Sequence, residues 1–235
     1  MLNIWASVLG LDEKNAHLED DVTTCLVALR QQIDFARMRL DSHGVPQELT
    51  QPGFDLLKTV ASPSHLNSGW HGHRGNILAP ECRHAFTWSA WVLGDEDEAD
   101  LPTEEMTALL ADIEALENGL QTSEISPYLR DFIQRQVDTI RAALRLYDLQ
   151  GARPLQDALQ RVAGAYTVER GRLDKEYEVA PEESKGILAK AGSMIKKTAE
   201  VCDSLDKIKK FGGEVGTLAA SVGPIVVPYI TNLLK

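Results

Sequence analysis

The sequence predicts an all-α fold, a multi-helix bundle with a C-terminal amphipathic helix and an apolar tail, on three observations. Apolar residues recur in alternating steps of three and four through most of the chain, and no segment sustains the two-residue alternation of a half-buried strand. The interruptions carry the Gly, Pro and Asn residues that end helices. With 43% hydrophobic residues over 235 positions, there is enough apolar material for a packed core.

Met1 to Leu11 is apolar but has no basic leader and no small-residue cleavage pattern before Asp12, Glu13 and Lys14, so no export signal is expected. Val22, Leu26, Leu29, Ile33, Ala36 and Leu40 form one stripe of a first helix, stopped by Gly44 and Pro46. A shorter helix is expected after Thr50-Gln51-Pro52, with Phe54, Leu57 and Val60 on one face and Pro63 as its end. Residues 62–75, rich in Ser, Gly, Asn, Pro and His, read as a loop. A helix is expected to resume near Ile77 and to run through Phe86, Trp88 and Trp91 to Leu93. The carboxylates from Asp95 to Asp100 then read as a solvated connector.

The next pair is the clearest. Met106, Leu109, Leu110, Ile113 and Leu116 follow Thr103-Glu104-Glu105, whose carboxylates suit the positive end of a helix dipole, and Asn118-Gly119 is expected to close that helix. Its partner starts with Ser126 as N-cap and Pro127 in the first turn. It continues through Leu129, Phe132, Ile133, Val137, Ile140, Leu144 and Tyr147 to Gly151. The short connection predicts an antiparallel pair. A further helix from Pro154 carries Leu155, Ala158, Leu159, Val162 and Tyr166 on one side.

Composition changes near Pro181. Residues 1–184 carry 16 Lys and Arg against 31 Asp and Glu, whereas 185–235 carry 8 against 4, and every cation of the second part is Lys. This divides the chain into an acidic helical body, 1–180, and a Lys-rich module, 181–235. The module begins with an amphipathic helix from about Glu183 to Phe211, with Ile187, Leu188, Ala191, Met194, Ile195, Val201, Cys202, Leu205 and Ile208 on one side. No charged residue occurs from Val215 to Leu234. That length just reaches the roughly 20 residues of a bilayer span, but Gly216, Gly223, Pro224, Pro228 and Asn232 interrupt it.

A basic amphipathic helix with an uncharged tail suits an anionic membrane surface or a contact with another copy of the chain. The candidate residues for such binding are Lys190, Lys196, Lys197, Lys207, Lys209 and Lys210, with Ile195, Leu205, Ile208, Val226 and Ile230 as apolar contacts. The competing role for the same helix is to complete the core of the body. A formal net charge of -11 argues against nonspecific nucleic-acid binding. Three widely spaced cysteines, Cys25, Cys82 and Cys202, do not form the framework of a secreted disulfide scaffold, which points to reduced thiols and a cytoplasmic setting.

The main alternative lies in the histidines. His71 and His73, with Cys82 and His84 following, supply imidazole and thiolate donors of the kind that bind zinc, with His65 nearby. Their spacing matches no known finger, and a polar histidine loop beside a buried cysteine is the plainer reading. No Gly-x-Ser-x-Gly elbow, phosphate-binding Gly-rich loop or His-Glu-x-x-His helix occurs. The sequence therefore points to a non-catalytic helical interaction or effector protein, whose partner is a protein, a second copy or an anionic membrane. The alternative is a zinc-dependent enzyme or binding module centred on His65–His84.

Overall fold

Helix signals in the sequence become ten α-helices in the computed structural model, which describes residues 1–94 and 101–205. Among the described residues there is no strand. The helices are α1 (Leu2–Val8), α2 (Leu18–Ser42), α3 (Gln47–Val60), α4 (His71–Ile77) and α5 (Pro80–Val92). They continue with α6 (Thr103–Thr122), α7 (Pro127–Arg145), α8 (Tyr147–Gln150), α9 (Arg153–Val179) and α10 (Glu182–Leu205). The chain divides into two compact units, Met1–Asp97 with Asp148–Gln150, and Glu98–Tyr147 with Gly151–Lys235.

The first unit is built on α2, whose first turn carries Glu19, Asp20 and Asp21 and whose last turn carries Arg39, each suited to the helix dipole at that end. Its buried side chains fall into two clusters. Trp5 and Ala6 of α1 meet Leu18, Val22 and Leu26 of α2, together with Val60, Ala61 and Leu66. Ile33, Leu40 and Phe54 form the other, with Phe86 of α5 packed against it at a ring distance of 5.7 Å from Phe54. The α3–α5 contact is close because residue 53 is Gly. A Cβ there would lie 2.7 Å from Ala85 Cβ and 3.0 Å from the Glu81 carbonyl. Buried Gln150 donates to the Ala28 carbonyl at 2.8 Å, which binds α8 into this unit.

Several boundaries in this unit differ from expectation. α1 forms where only an apolar stretch was evident, because Trp5 and Ala6 have a core to enter. α3 starts at Gln47 and holds Pro52 within it. Residues 62–75 are not a continuous loop: a 3-10 turn spans Pro63–His65, and α4 starts at His71 despite Gly72 and Gly75. α5 begins at Pro80 rather than near Ile77, since proline suits the first turn of a helix.

The second unit is a four-helix bundle of α6, α7, α9 and α10. Contacts fix neighbouring helices as antiparallel. Arg130 donates to the Ser123 carbonyl and Arg141 pairs with Glu117, so α7 runs back along α6. Ser126 with Glu176 and Tyr128 with Glu169 run α9 back along α7. Lys197 with Asp112, together with the approach of Gly119 to Ile187, runs α10 back along α6. Each helix places its apolar stripe on one common core, including Leu109, Ile113, Phe132, Ile133, Ile140, Leu155, Leu159 and Ile195.

The Ser126 N-cap and Pro127 first turn are as expected, with Leu129 N donating to Ser126 Oγ at 3.3 Å. α6 runs past Asn118-Gly119 to Thr122. Gly151 adopts φ 65, the left-handed conformation that ends α8 before α9 begins. Pro181, where the composition changes, lies in the turn between α9 and α10. The expected connector at 95–100 lies outside the described residues.

Candidate functional site

α10 is amphipathic, and the direction of its apolar face decides what it can bind. Ile187, Leu188, Ala191, Met194, Ile195, Ala199, Val201 and Cys202 are all buried in the bundle core. Ser184 is anchored as well, donating from Oγ to the Glu124 carbonyl at 3.0 Å. Burying these side chains contributes about 25 cal/mol per Å² of apolar surface removed from water, so exposing them to another surface would carry that cost.

The polar face of α10 is largely matched by carboxylates. Lys197 Nζ lies 2.7 Å from Asp112 Oδ2 of α6, Lys196 is 3.5 Å from Glu200, and Lys185 is 2.9 Å from Glu182. The Glu182 hydrogen bond raises the Lys185 ammonium above its ordinary value. Lys190 is exposed, and α10 is described as far as Leu205. Lys207, Ile208, Lys209, Lys210, Val226 and Ile230 lie outside the described residues. Of the proposed binding residues, Ile195 is therefore core, Lys196 and Lys197 have acidic partners, and Lys190 faces solvent. Among the described residues no helix is long and apolar enough to cross a membrane.

The histidine region has a different arrangement from the one its spacing suggested. His65 and His73 stack with ring centroids 4.6 Å apart. His65 Nδ1 lies 2.9 Å from the Thr59 carbonyl. Ser68 Oγ donates to the His65 carbonyl at 2.6 Å and so accepts from His73 Nε2 at 3.1 Å. His71 and His84 are exposed, whereas Cys82 is buried against α3 with its thiol 3.5 Å from the Gly53 carbonyl. Burial, and then the adjacent Glu81 charge, push the Cys82 thiol above its ordinary value, which opposes the thiolate that zinc or nucleophilic chemistry requires. Among the described residues no group of three or more His, Cys, Asp and Glu is placed to hold a metal ion. The structure thus does not bring His71, His73, Cys82 and His84 together as a ligand set.

A cleft of about 460 Å³ in the first unit is lined by Arg30, Asp55, Lys58, Thr59, Ser62 and His65. Its charges are already engaged. Lys58 Nζ contacts both oxygens of Asp34 at 2.6 and 2.8 Å, Arg37 pairs with Asp55 at 3.2 Å, and Arg30 donates to the Lys58 carbonyl. Arg30 serves as a cap on the last turn of α3, where carbonyls lack helical partners.

Besides the ligand candidates Cys82 and His84, α5 carries two exposed tryptophans for which no role was expected. Trp88 is 61% exposed and Trp91 76%, and their rings meet edge to face at 5.9 Å. The signal for this was present in the residue order. Cys82, Ala85 and Ser89 take the buried face, which turns Trp91 nearly opposite it and leaves Trp88 on the flank.

Comparison of the chain with protein-family models, curated proteins and solved structures finds no significant match to any of them.

Proposed function

We propose that the chain is a non-catalytic helical interaction protein whose C-terminal segment, residues 206–235, engages an anionic membrane surface. The observation that carries this reading is the burial of the α10 apolar face in the bundle core, with Lys185, Lys196 and Lys197 matched by carboxylates. What the C-terminal part has left for a partner is then the sequence after Leu205. Lys207, Lys209 and Lys210 come first, and an uncharged stretch from Val215 to Leu234 follows. Cations next to apolar residues are the chemistry that anionic headgroups and the acyl boundary reward, at about 1 kcal/mol per Lys near the surface.

Cosedimentation of the full chain with vesicles of phosphatidylcholine alone, or with added phosphatidylserine, tests this. Binding is expected only to the anionic vesicles, weakened by salt, and largely lost in Lys207→Glu/Lys209→Glu/Lys210→Glu. Equal binding by that variant, or no binding by the wild type, overturns the reading. Concentration-dependent assembly without lipid would assign the segment to self-association instead.

A further inference from the structure

His65, at the end of the 3-10 turn, and His73, in the first turn of α4, stack with ring centroids 4.6 Å apart. The chain between them is fastened to the core of the first unit. Leu66 is buried, and Trp70 packs against the same cluster. The Leu2 N–H donates to the Leu66 carbonyl at 3.2 Å, and the Met1 ammonium donates to the Ser68 carbonyl at 3.1 Å. The fold therefore holds the two rings together.

Hydrogen bonds outside the pair fix which nitrogen of each ring keeps a lone pair. A carbonyl cannot donate, so His65 Nδ1 gives its proton to the Thr59 carbonyl at 2.9 Å and leaves Nε2 as the lone-pair nitrogen. The single proton of Ser68 Oγ goes to the His65 carbonyl. Ser68 Oγ thus accepts from His73 Nε2 at 3.1 Å, and the lone pair of His73 falls on Nδ1. That Nδ1 is buried with no hydrogen-bond partner, and a buried acceptor left unmet costs free energy that a bound ion would recover.

Imidazoles whose other N–H is tied to an oxygen acceptor are the form in which histidine ligates transition metals. With metal–nitrogen bonds of about 2.0 to 2.1 Å and angles between a right angle and a tetrahedral one, two such rings stand with centroids roughly 4.5 to 5.2 Å apart. The observed spacing falls in that range. The donors also select the cation, because imidazole nitrogen suits zinc and its neighbours, whereas calcium and magnesium require oxygen. His65 lines the 460 Å³ cleft with Asp55, Thr59 and Ser62, which gives water a route to the remaining coordination positions. Lys58 and Arg30 line it too, but the Lys58 charge is met by Asp34, and Arg30 donates to the Lys58 carbonyl.

From the fixed lone pairs and the ring spacing we infer that His65 and His73 form a two-histidine site for zinc, bound through His65 Nε2 and His73 Nδ1 with water completing the coordination. The site is independent of the membrane reading and of the set His71, His73, Cys82 and His84, which the structure does not assemble. The ion acts as a clip across residues 65–73, the segment that holds Met1 and Leu2.

The untagged full chain, stripped with a chelator, is dialysed against zinc chloride. One saturable equivalent is expected. His65→Gln/His73→Gln is expected to bind at least about tenfold more weakly, since losing the ligands costs no less than losing their supporting bonds. His71→Gln/His84→Gln should keep wild-type uptake. Long-range proton–nitrogen spectra of the wild-type imidazoles read the ligands without any substitution: zinc should shift His65 Nε2 and His73 Nδ1 and leave the His71 and His84 rings unmoved. No saturable uptake by the wild type overturns the inference, as does unchanged uptake in His65→Gln/His73→Gln. Shifts on the His71 and His84 rings in place of His65 and His73 would overturn it equally.

Discussion

The two units use their helices differently. In the Glu98–Tyr147 and Gly151–Lys235 unit, four long helices direct their apolar stripes into one continuous core, and their exposed faces carry charged residues with Leu110, Val168 and Val179 among them. In the Met1–Asp97 and Asp148–Gln150 unit, shorter helices share two small cores and leave Trp88 and Trp91 outside. A bundle with one core gains most of its stability from cooperative packing, whereas the divided unit keeps chemically distinctive groups on its surface. The aromatic residues also separate them: among the described residues Trp5, Trp70, Trp88 and Trp91 all belong to the first unit, and Tyr128, Tyr147, Tyr166 and Tyr177 to the second. Trp emission therefore reports one unit and tyrosine the other.

Truncation after Ala180 should have the largest effect and would break the comparison most directly. It removes α10 and with it Ile187, Leu188, Met194, Ile195 and Cys202 from the shared core. The expected outcome is loss of the cooperative transition seen by tyrosine and far-ultraviolet signals, with the Trp-reported transition retained. A truncated chain whose tyrosine-reported transition is unchanged would show that three helices suffice.

Within the bundle, Ile133→Ala should cost about 2 to 5 kcal/mol and Leu144→Ala an amount toward the lower end of that range, since Ile133 is fully buried and Leu144 slightly less so. Denaturant unfolding followed by tyrosine measures both. Losses below about 1 kcal/mol at the two sites would mean that the α7 stripe does not carry the core.

The first unit is tested at its tightest contact. Gly53→Ala puts a methyl 2.7 Å from Ala85 Cβ and close to the α5 backbone, where no flexible side chain can yield, so α3 and α5 must separate. A loss of about 1 to 3 kcal/mol is expected in the Trp-reported transition alone. An equal loss in the tyrosine-reported transition would show that the two units unfold together.

How much of this was legible follows from what periodicity encodes. The stripes of α6, α7 and α9 could be read because each faces one core, as the spacing of Leu129, Phe132, Ile133, Val137 and Ile140 states directly, and that of α2 because its one stripe serves two clusters in succession. α1 and α4 were missed because a short helix takes its stability from the core it meets, as Trp5 does, and local sequence does not contain that core. The same limit applies to α10. Its amphipathic pattern suits a bilayer or a bundle equally, and only Asp112 opposite Lys197 and the neighbouring helices distinguish the two. The histidine spacing suggested ligands, but the backbone turned Cys82 toward Gly53 and left His84 in solvent. In α5 the order of Cys82, Ala85 and Ser89 already implied exposed tryptophans, but only once those three residues are known to be the buried ones.

The smallest effect concerns proton binding at the α7–α9 seam of the bundle. Tyr128 donates its hydroxyl to Glu169 Oε2 at 2.6 Å, with the Arg172 guanidinium 3.7 Å above its ring. Desolvation first, and then the bond to Glu169, push the phenol up to about 12, while the Arg172 and Arg135 charges act in the opposite direction. A phenol with a higher value folded than unfolded holds its proton longer in the native state. Its contribution is therefore fully present below about pH 10, and it is lost as pH rises through the folded value. Tyr128→Phe should flatten the alkaline decline of the tyrosine-reported stability and remove a phenolate absorbance that develops near pH 12, leaving the Trp-reported unit unchanged. An alkaline titration identical to wild type would show that Glu169 does not hold the Tyr128 proton.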